Sequence, residues 1–207
     1  MDPSDIRRLF VIALVLYGTS LHELAHAYVA TWFGDPTPGR HGRLTLNPIP
    51  HLQPVLTAII LPVIIYLTGS HQLFCLALTP IDPSKFRRPL RDHALVAVAG
   101  PVMNLLLMFL LIGILWIPGQ SPGNYIAAIF PEAALWNLIL AAFNLMPIPG
   151  LDGYWIVRPA LPMGLRKVTD DIAKMGMLTL AIAMVVGGLL LRHFYVYLVL
   201  FLKALLP

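Results

Sequence analysis

The sequence predicts an all-α polytopic membrane protein with about four full spans, re-entrant or interfacial segments, and a short β element near the candidate site. Three observations carry that prediction. Of 207 residues, 58% are hydrophobic and only 12% charged, against roughly 25% charged in a soluble domain. Four apolar stretches are long enough to cross about 30 Å of hydrocarbon. The Lys and Arg residues gather in short polar breaks between them, as membrane-flanking charges do, so the net charge of +4 points to no nucleic-acid partner. At this length one bundle is expected, with residues 1–207 forming a single domain. Cys75 has no second cysteine to pair with and reads as apolar filler.

The first span is Leu9 to Phe33, too long for a signal-peptide core and expected to remain in the mature chain. Val55 to Pro80 comes next, broken by Gly69, Ser70, His71 and Gln72, and reads as a re-entrant or interfacial segment. Ala94 to Ile117 and Tyr125 to Met146 are the second and third spans, and Met175 to Leu191 is the fourth. A short apolar tail, Phe194 to Leu206, reads as a separate piece. Lys85, Arg87, Arg88 and Arg91 precede the second span, and Arg158, Arg166 and Lys167 follow the third, while residues 118–124 carry no charge. The positive-inside rule therefore places residues 82–92 and 147–171 in the cytoplasm and 118–124 outside. Arg40 and Arg43 put the loop after the first span inside as well. The amino terminus is then outside despite Arg7 and Arg8, and Val55 to Pro80 must enter and leave on one side.

Inside the first span lies His22-Glu23-Leu24-Ala25-His26. On a helix the two imidazoles, four residues apart, project from one face and can grip one metal ion. Zinc suits nitrogen ligands and, in a catalytic site, keeps a position open for water, beside which Glu23 would stand as general base. The bland alternative is three side chains satisfying one another between helices, but an ionisable group inside a span costs several kcal/mol and normally has a functional reason. A third ligand is needed. His26 lies seven residues before the end of its span, about 10 Å below the surface at 1.5 Å per residue. Asp152 follows the inner end of the third span, where Pro147, Pro149 and Gly150 let the chain fold back into the bundle. Alone it would read as an Asp-Gly turn; with His22 and His26 it completes a metal set for one Zn2+ per chain.

These residues, with Gly100-Pro-Val-Met-Asn104, Asn144 through Gly153, Phe33 through Thr37, Gly42 through Pro48 and Phe86 through Gly100, resemble the site-2 protease family of intramembrane zinc metalloproteases. The likeness spans nearly the whole chain and points to the compact branch without PDZ or CBS domains. It implies His22, His26 and Asp152 as zinc ligands and Glu23 as base. It also implies that the Asn144 amide holds the substrate carbonyl or developing oxyanion, where the bland reading is an interhelical hydrogen bond. The family's usual second proline before Leu-Asp-Gly is Gly150 here, a departure expected to loosen the turn without removing a ligand.

Two assignments are left with two readings each. Asn104 either contacts the substrate backbone or packs between helices near a carbonyl freed by Pro101. Gly42 to Leu46, through Leu44 and Thr45, alternates enough for a short strand that either pairs with an extended substrate by strand addition or only packs its loop. His41, His51, His71, His93 and His193 lie in breaks or at span ends and read as interfacial non-ligands. Trp32, Trp116 and Tyr125 read as aromatic-belt anchors, and Glu132 as a charge favouring a helix amino terminus. The expected partners are the lipid bilayer and transmembrane protein or peptide substrates, in a cell membrane, with the site nearer the cytoplasmic face. Two rivals are a metal transporter, which would more often show repeated halves with broken helices, and an inactive helix-binding scaffold.

Overall fold

The computed structural model describes residues 2–51, 78–117 and 125–207. The helices in chain order are α1 (Pro3–Trp32), α2 (Thr37–Arg40), α3 (Pro89–Leu115), α4 (Tyr125–Asn144), α5 (Asp152–Val157), α6 (Met163–Ala173) and α7 (Met177–Leu205). α1, α3, α4 and α7 are long and apolar enough to cross a membrane, as the expected four spans require. Short 3-10 turns at Ile49–His51, Pro83–Lys85 and Arg158–Ala160 complete the elements.

Each long helix begins and ends where its residues dictate. Asp2 caps α1, accepting from the Ser4 N–H. Beyond its far end Gly34 takes φ 102°, a left-handed conformation that lets the chain reverse. Asp35, fully buried, then accepts from the N–H of Thr37 at 2.9 Å and of Asp82 at 2.7 Å, tying the loop after α1 to the segment that leads into α3. α3 opens on Pro89, whose missing N–H costs nothing in a first turn, and Asp92 reaches back to accept from Arg88 N at 2.8 Å.

The spans alternate in direction. Ala30 clusters with Phe86 and Val96 near one end, and Leu14 packs with Leu105 and Met108 further along, so α1 and α3 are antiparallel. Val11 and Val15 meet Ile129 and Leu140, so α4 runs parallel to α1. α7 lies against α4 through Leu180, Ala183, Met184 and Leu191, with Gly187 making room for the Phe143 ring. Only 17% of the apolar window of α7 is buried, against 44–50% for the other three, which makes it the peripheral wall of the bundle.

Four expectations are corrected. The stretches expected as a span ending at Leu191 and a separate tail from Phe194 are one 29-residue helix, because Arg192 and His193 lie on its exposed side and interrupt no backbone hydrogen bond. No strand forms at 42–46. That loop is held by side chains instead: the Arg43 guanidinium donates to Pro50 O, and His51 Nε2 bonds Thr45 O at 2.9 Å. Glu132 finds a partner on another helix, Arg7, at 2.8 Å, which also neutralises one of the two arginines at the amino end of α1. His51 and His93 are buried rather than interfacial, His93 stacking on Trp155 at 4.3 Å. The expected re-entrant segment falls mainly on residues 52–77, and the outer loop on 118–124; both lie outside the described residues.

Candidate metal centre

Two turns of α1 carry His22, Glu23 and His26, all buried. His22 Nε2 and His26 Nε2 are 3.0 Å apart. Asp152, the first residue of α5, brings Oδ2 to 3.2 Å from His22 Nε2 and 3.3 Å from His26 Nε2. Tetrahedral zinc with ligands at 2.0–2.1 Å sets them about 3.3 Å apart, so these three atoms fit that ion. They form the one convergent group of potential metal ligands among the described residues. His26 Nδ1 lies 2.7 Å from Val96 O; donating its proton there leaves Nε2 free to coordinate, the outer-shell bond that ligating histidines generally make.

Two glycines make the centre possible. A Cβ on Gly100 would lie 2.5 Å from His22 Nε2 and closer still to His26 Nε2, so α3 can back the imidazoles only with a bare backbone. A Cβ on Gly153 would strike the carbonyls of Leu145 and Met146, the loop that delivers Asp152. Gly150 takes φ 96° against Thr179 and Leu180 of α7. This corrects the expected loosening. The left-handed conformation is one that proline, fixed near −65°, cannot adopt, so glycine here defines a particular turn.

A cavity of about 90 Å³ opens beside the metal ligands, lined among others by Glu23, Asn104, Asn144, Leu78 and, from α7, Leu180 and Met184. It is room for several waters, each needing about 10–15 Å³ on this measure. Asn144 spends one N–H on Leu140 O of its own helix at 3.1 Å; among the described residues it makes no interhelical hydrogen bond, and it lines the cavity. Asn104 is 1% exposed with neither amide atom hydrogen-bonded. It does not cap a carbonyl freed by Pro101. Leu44 and Thr45 are not among the residues lining this cavity. What does run beside Glu23 is the Leu78–Thr79 segment, whose Thr79 hydroxyl donates to Glu23 O at 3.0 Å. Sequence reading missed Gly100, Gly153 and Thr79. The only hint for the glycines was their place inside the Gly-Pro and Asp-Gly motifs.

Behind Asp152, α5 is braced by a polar clamp. Arg158 grips Asp170 with two bonds of 2.6 Å, and Tyr154, buried, donates its hydroxyl proton to Asp170 at 2.5 Å. The Arg158 guanidinium holds the Asp170 carboxyl down at about 2.

Comparisons with known proteins identify the family. The family model "Peptidase family M50" matches residues 119–188, which contain Asn144 and Asp152. A "Putative zinc metalloprotease YwhC" from Bacillus subtilis is 39% identical over 177 residues, covering 81% of this chain and 76% of that protein. A "Putative zinc metalloprotease Rip2" from Mycolicibacterium smegmatis is 32% identical over 184 residues, covering 87% of this chain and 68% of the relative. The Rip2 of Mycobacterium tuberculosis H37Rv is 34% identical over 153 residues, 74% of this chain and 58% of its own. No solved structure matches.

Proposed function

Since the chain belongs to peptidase family M50, the site-2 protease family, and is a multi-pass zinc metalloprotease, we propose that it hydrolyses peptide bonds in or near the transmembrane helices of other membrane proteins. The observation that carries this reading is the position of the ligands. His22 and His26 sit well inside a 30-residue apolar helix, walled by α3, α4 and the turn before α5, so a bond reaches them only by entering the bundle. The excess of Lys and Arg in residues 82–92 and 147–171 supports a cytoplasmic position for that end, in a cell membrane.

His22, His26 and Asp152 would hold the zinc. When bound, it supplies Lewis acidity, which lowers the pKa of water towards neutrality and polarises a carbonyl. Glu23, buried against the same cavity, takes the proton of the attacking water and returns it to the leaving amine. The Asn144 amide is directed to the oxygen on which negative charge develops. The orphaned amide of Asn104 receives substrate backbone, as the sequence suggested in one of its two readings. A peptide in an intact helix has its carbonyls already bonded and its backbone shielded, so the substrate must unwind before cleavage. A strand-addition role for Leu44 and Thr45 has lost its strand and is not carried further.

The test is Glu23→Gln in proteoliposomes with a reporter transmembrane helix. The variant is expected to keep about one zinc per chain and to lose cleavage. Cleavage by the variant would remove Glu23 as base. Zinc retained with no cleavage in the wild type, for any reporter helix, would favour the transporter or scaffold reading.

A further inference from the structure

Among the described residues, α6 is the one helix of more than two turns that buries none of its residues. Its sequence, Met163-Gly-Leu-Arg-Lys-Val-Thr-Asp-Asp-Ile-Ala173, is strongly amphipathic. Leu165, Val168 and Ile172, at i, i+3 and i+7, share one stripe and are 51%, 57% and 41% exposed. Met175, just past the helix end, is 54% exposed beside them. Asp170 lies on the opposite side, two residues from both Val168 and Ile172, which is about 200° of helix rotation. That side is where the protein holds the helix. Asp170 is clamped by Arg158 and Tyr154, and Arg166 donates to Pro159 O at 3.1 Å and Leu161 O at 2.9 Å. The apolar stripe thus faces away from the side chains that hold α6 to α5 and its following turn, while α7 reaches only the carboxyl end of the helix, where the Thr179 hydroxyl donates to the Ile172 backbone carbonyl.

What covers it is decided by the next element. Only three residues separate the end of α6 from Met177, the start of the membrane-spanning α7, so α6 cannot stand away from the membrane surface on the metal-centre side. Lys167 and Lys174 are exposed on the polar side of the helix, Lys174 paired with Asp171 at 2.9 Å, the basic polar face that a surface-lying helix turns away from the acyl chains. A soluble partner would have to reach this stripe between the protein and the lipid.

We propose that α6 is an interfacial helix that docks on the bilayer, with Leu165, Val168 and Ile172 inserted at the boundary between headgroups and acyl chains. Helices of this composition bury their apolar face about 5–10 Å into that boundary. The clamp through Asp170 then references α5, and with it Asp152, to the membrane surface.

The experiment places a nitroxide by cysteine substitution, in a Cys75→Ser background, at Leu165, Val168 or Ile172 and, as controls, at Lys167 and Asp171. The full chain is reconstituted in vesicles of phosphatidylcholine and phosphatidylglycerol. Collision of each label with oxygen, which partitions into lipid, is compared with collision with a water-soluble nickel chelate. At the three stripe positions oxygen is expected to exceed nickel severalfold, with the ratio reversed at the controls. Nickel preference at the stripe would overturn the proposal in favour of a water-facing surface. Shielding from both reagents that deepens as the protein-to-lipid ratio rises would overturn it in favour of contact between copies. Three stripe positions are scanned, so one variant that fails to fold leaves two that decide. The readout involves no cleavage, so it stands or falls separately from the proteolytic reading.

Discussion

The two ends of the bundle are built differently. Towards one end, α1, α3, α4 and α7 meet through Val11, Val15, Met108, Leu111, Ile112, Ala133, Ala134 and Leu202, an apolar core bordered by Asn137, which donates to Ala133 O. Towards the other end the same helices bury His22, Glu23, His26, His93 and Asn104. Among the described residues, every buried side-chain atom without a hydrogen-bond partner lies on that side or in its loops, Asn137 at the boundary excepted. A bilayer offers no water to such groups. Their confinement to one end marks where the fold admits water, metal and substrate, and the apolar end is the scaffold that holds them. Mutations at matched positions on one helix put this contrast to trial.

The largest effect is expected from two glycines of α3. Gly100→Ala would push a methyl into both imidazoles, whereas a Cβ on Gly113 has no atom within 4 Å. Gly100→Ala should abolish zinc binding, measured by elemental analysis of purified protein, and cleavage with it. Gly113→Ala should leave both intact and gain up to about 1 kcal/mol from helix propensity. Equal zinc content in the two variants would show that the metal end is no tighter than the scaffold.

Next comes a pair one turn apart. Met108 is fully buried in the apolar core and Asn104 is 1% exposed at the cavity. Met108→Ala should cost about 2–5 kcal/mol of stability, with zinc retained in the folded fraction. Asn104→Leu removes a buried amide that has no partner and should stabilise by about 1 kcal/mol or more while reducing cleavage. Thermal unfolding in one detergent reads both. A destabilising Asn104→Leu would mean that the amide is satisfied and belongs to the scaffold.

The metal end also contains a position where backbone conformation, more than contact, is at stake. Gly150→Ala keeps the chain length but forces φ 96° on a side chain, at a cost of about 1–3 kcal/mol, and places a methyl 3.2 Å from Thr179 Cγ2. Since this turn delivers Asp152, zinc affinity should fall along with stability. A fall in stability alone would show that the turn and the ligand are uncoupled.

How much of this was legible beforehand divides along the same line. His22 and His26 could be read because ligand spacing on a helix is local, and Asp152 because three helix breakers precede it. The four spans follow from length and hydropathy. Arg192 and His193 were misread as a break because hydropathy averages over all faces of a helix, while charge on the exposed side leaves its backbone ladder intact. The strand at 42–46 was inferred from alternation over five residues, too few to outweigh Arg43 and His51, which capture the carbonyls of Pro50 and Thr45. Gly100 was invisible as a site residue, since its role depends on how closely α3 approaches α1, and no local pattern encodes that distance.

The smallest expected effect lies at the scaffold end, where Arg7 and Glu132 pair at 2.8 Å with side chains 51% and 36% exposed. A pair this open is worth about 0–1 kcal/mol, because solvent or headgroups screen it and two long side chains must be ordered to form it. Glu132→Gln should therefore change unfolding by no more than that and leave zinc content untouched. A double-mutant cycle with Arg7→Gln isolates the pair from the new amide. A coupling of several kcal/mol would mean that the pair is desolvated by lipid and that the scaffold end, too, is held by a polar interaction, which would erase the difference between the two ends.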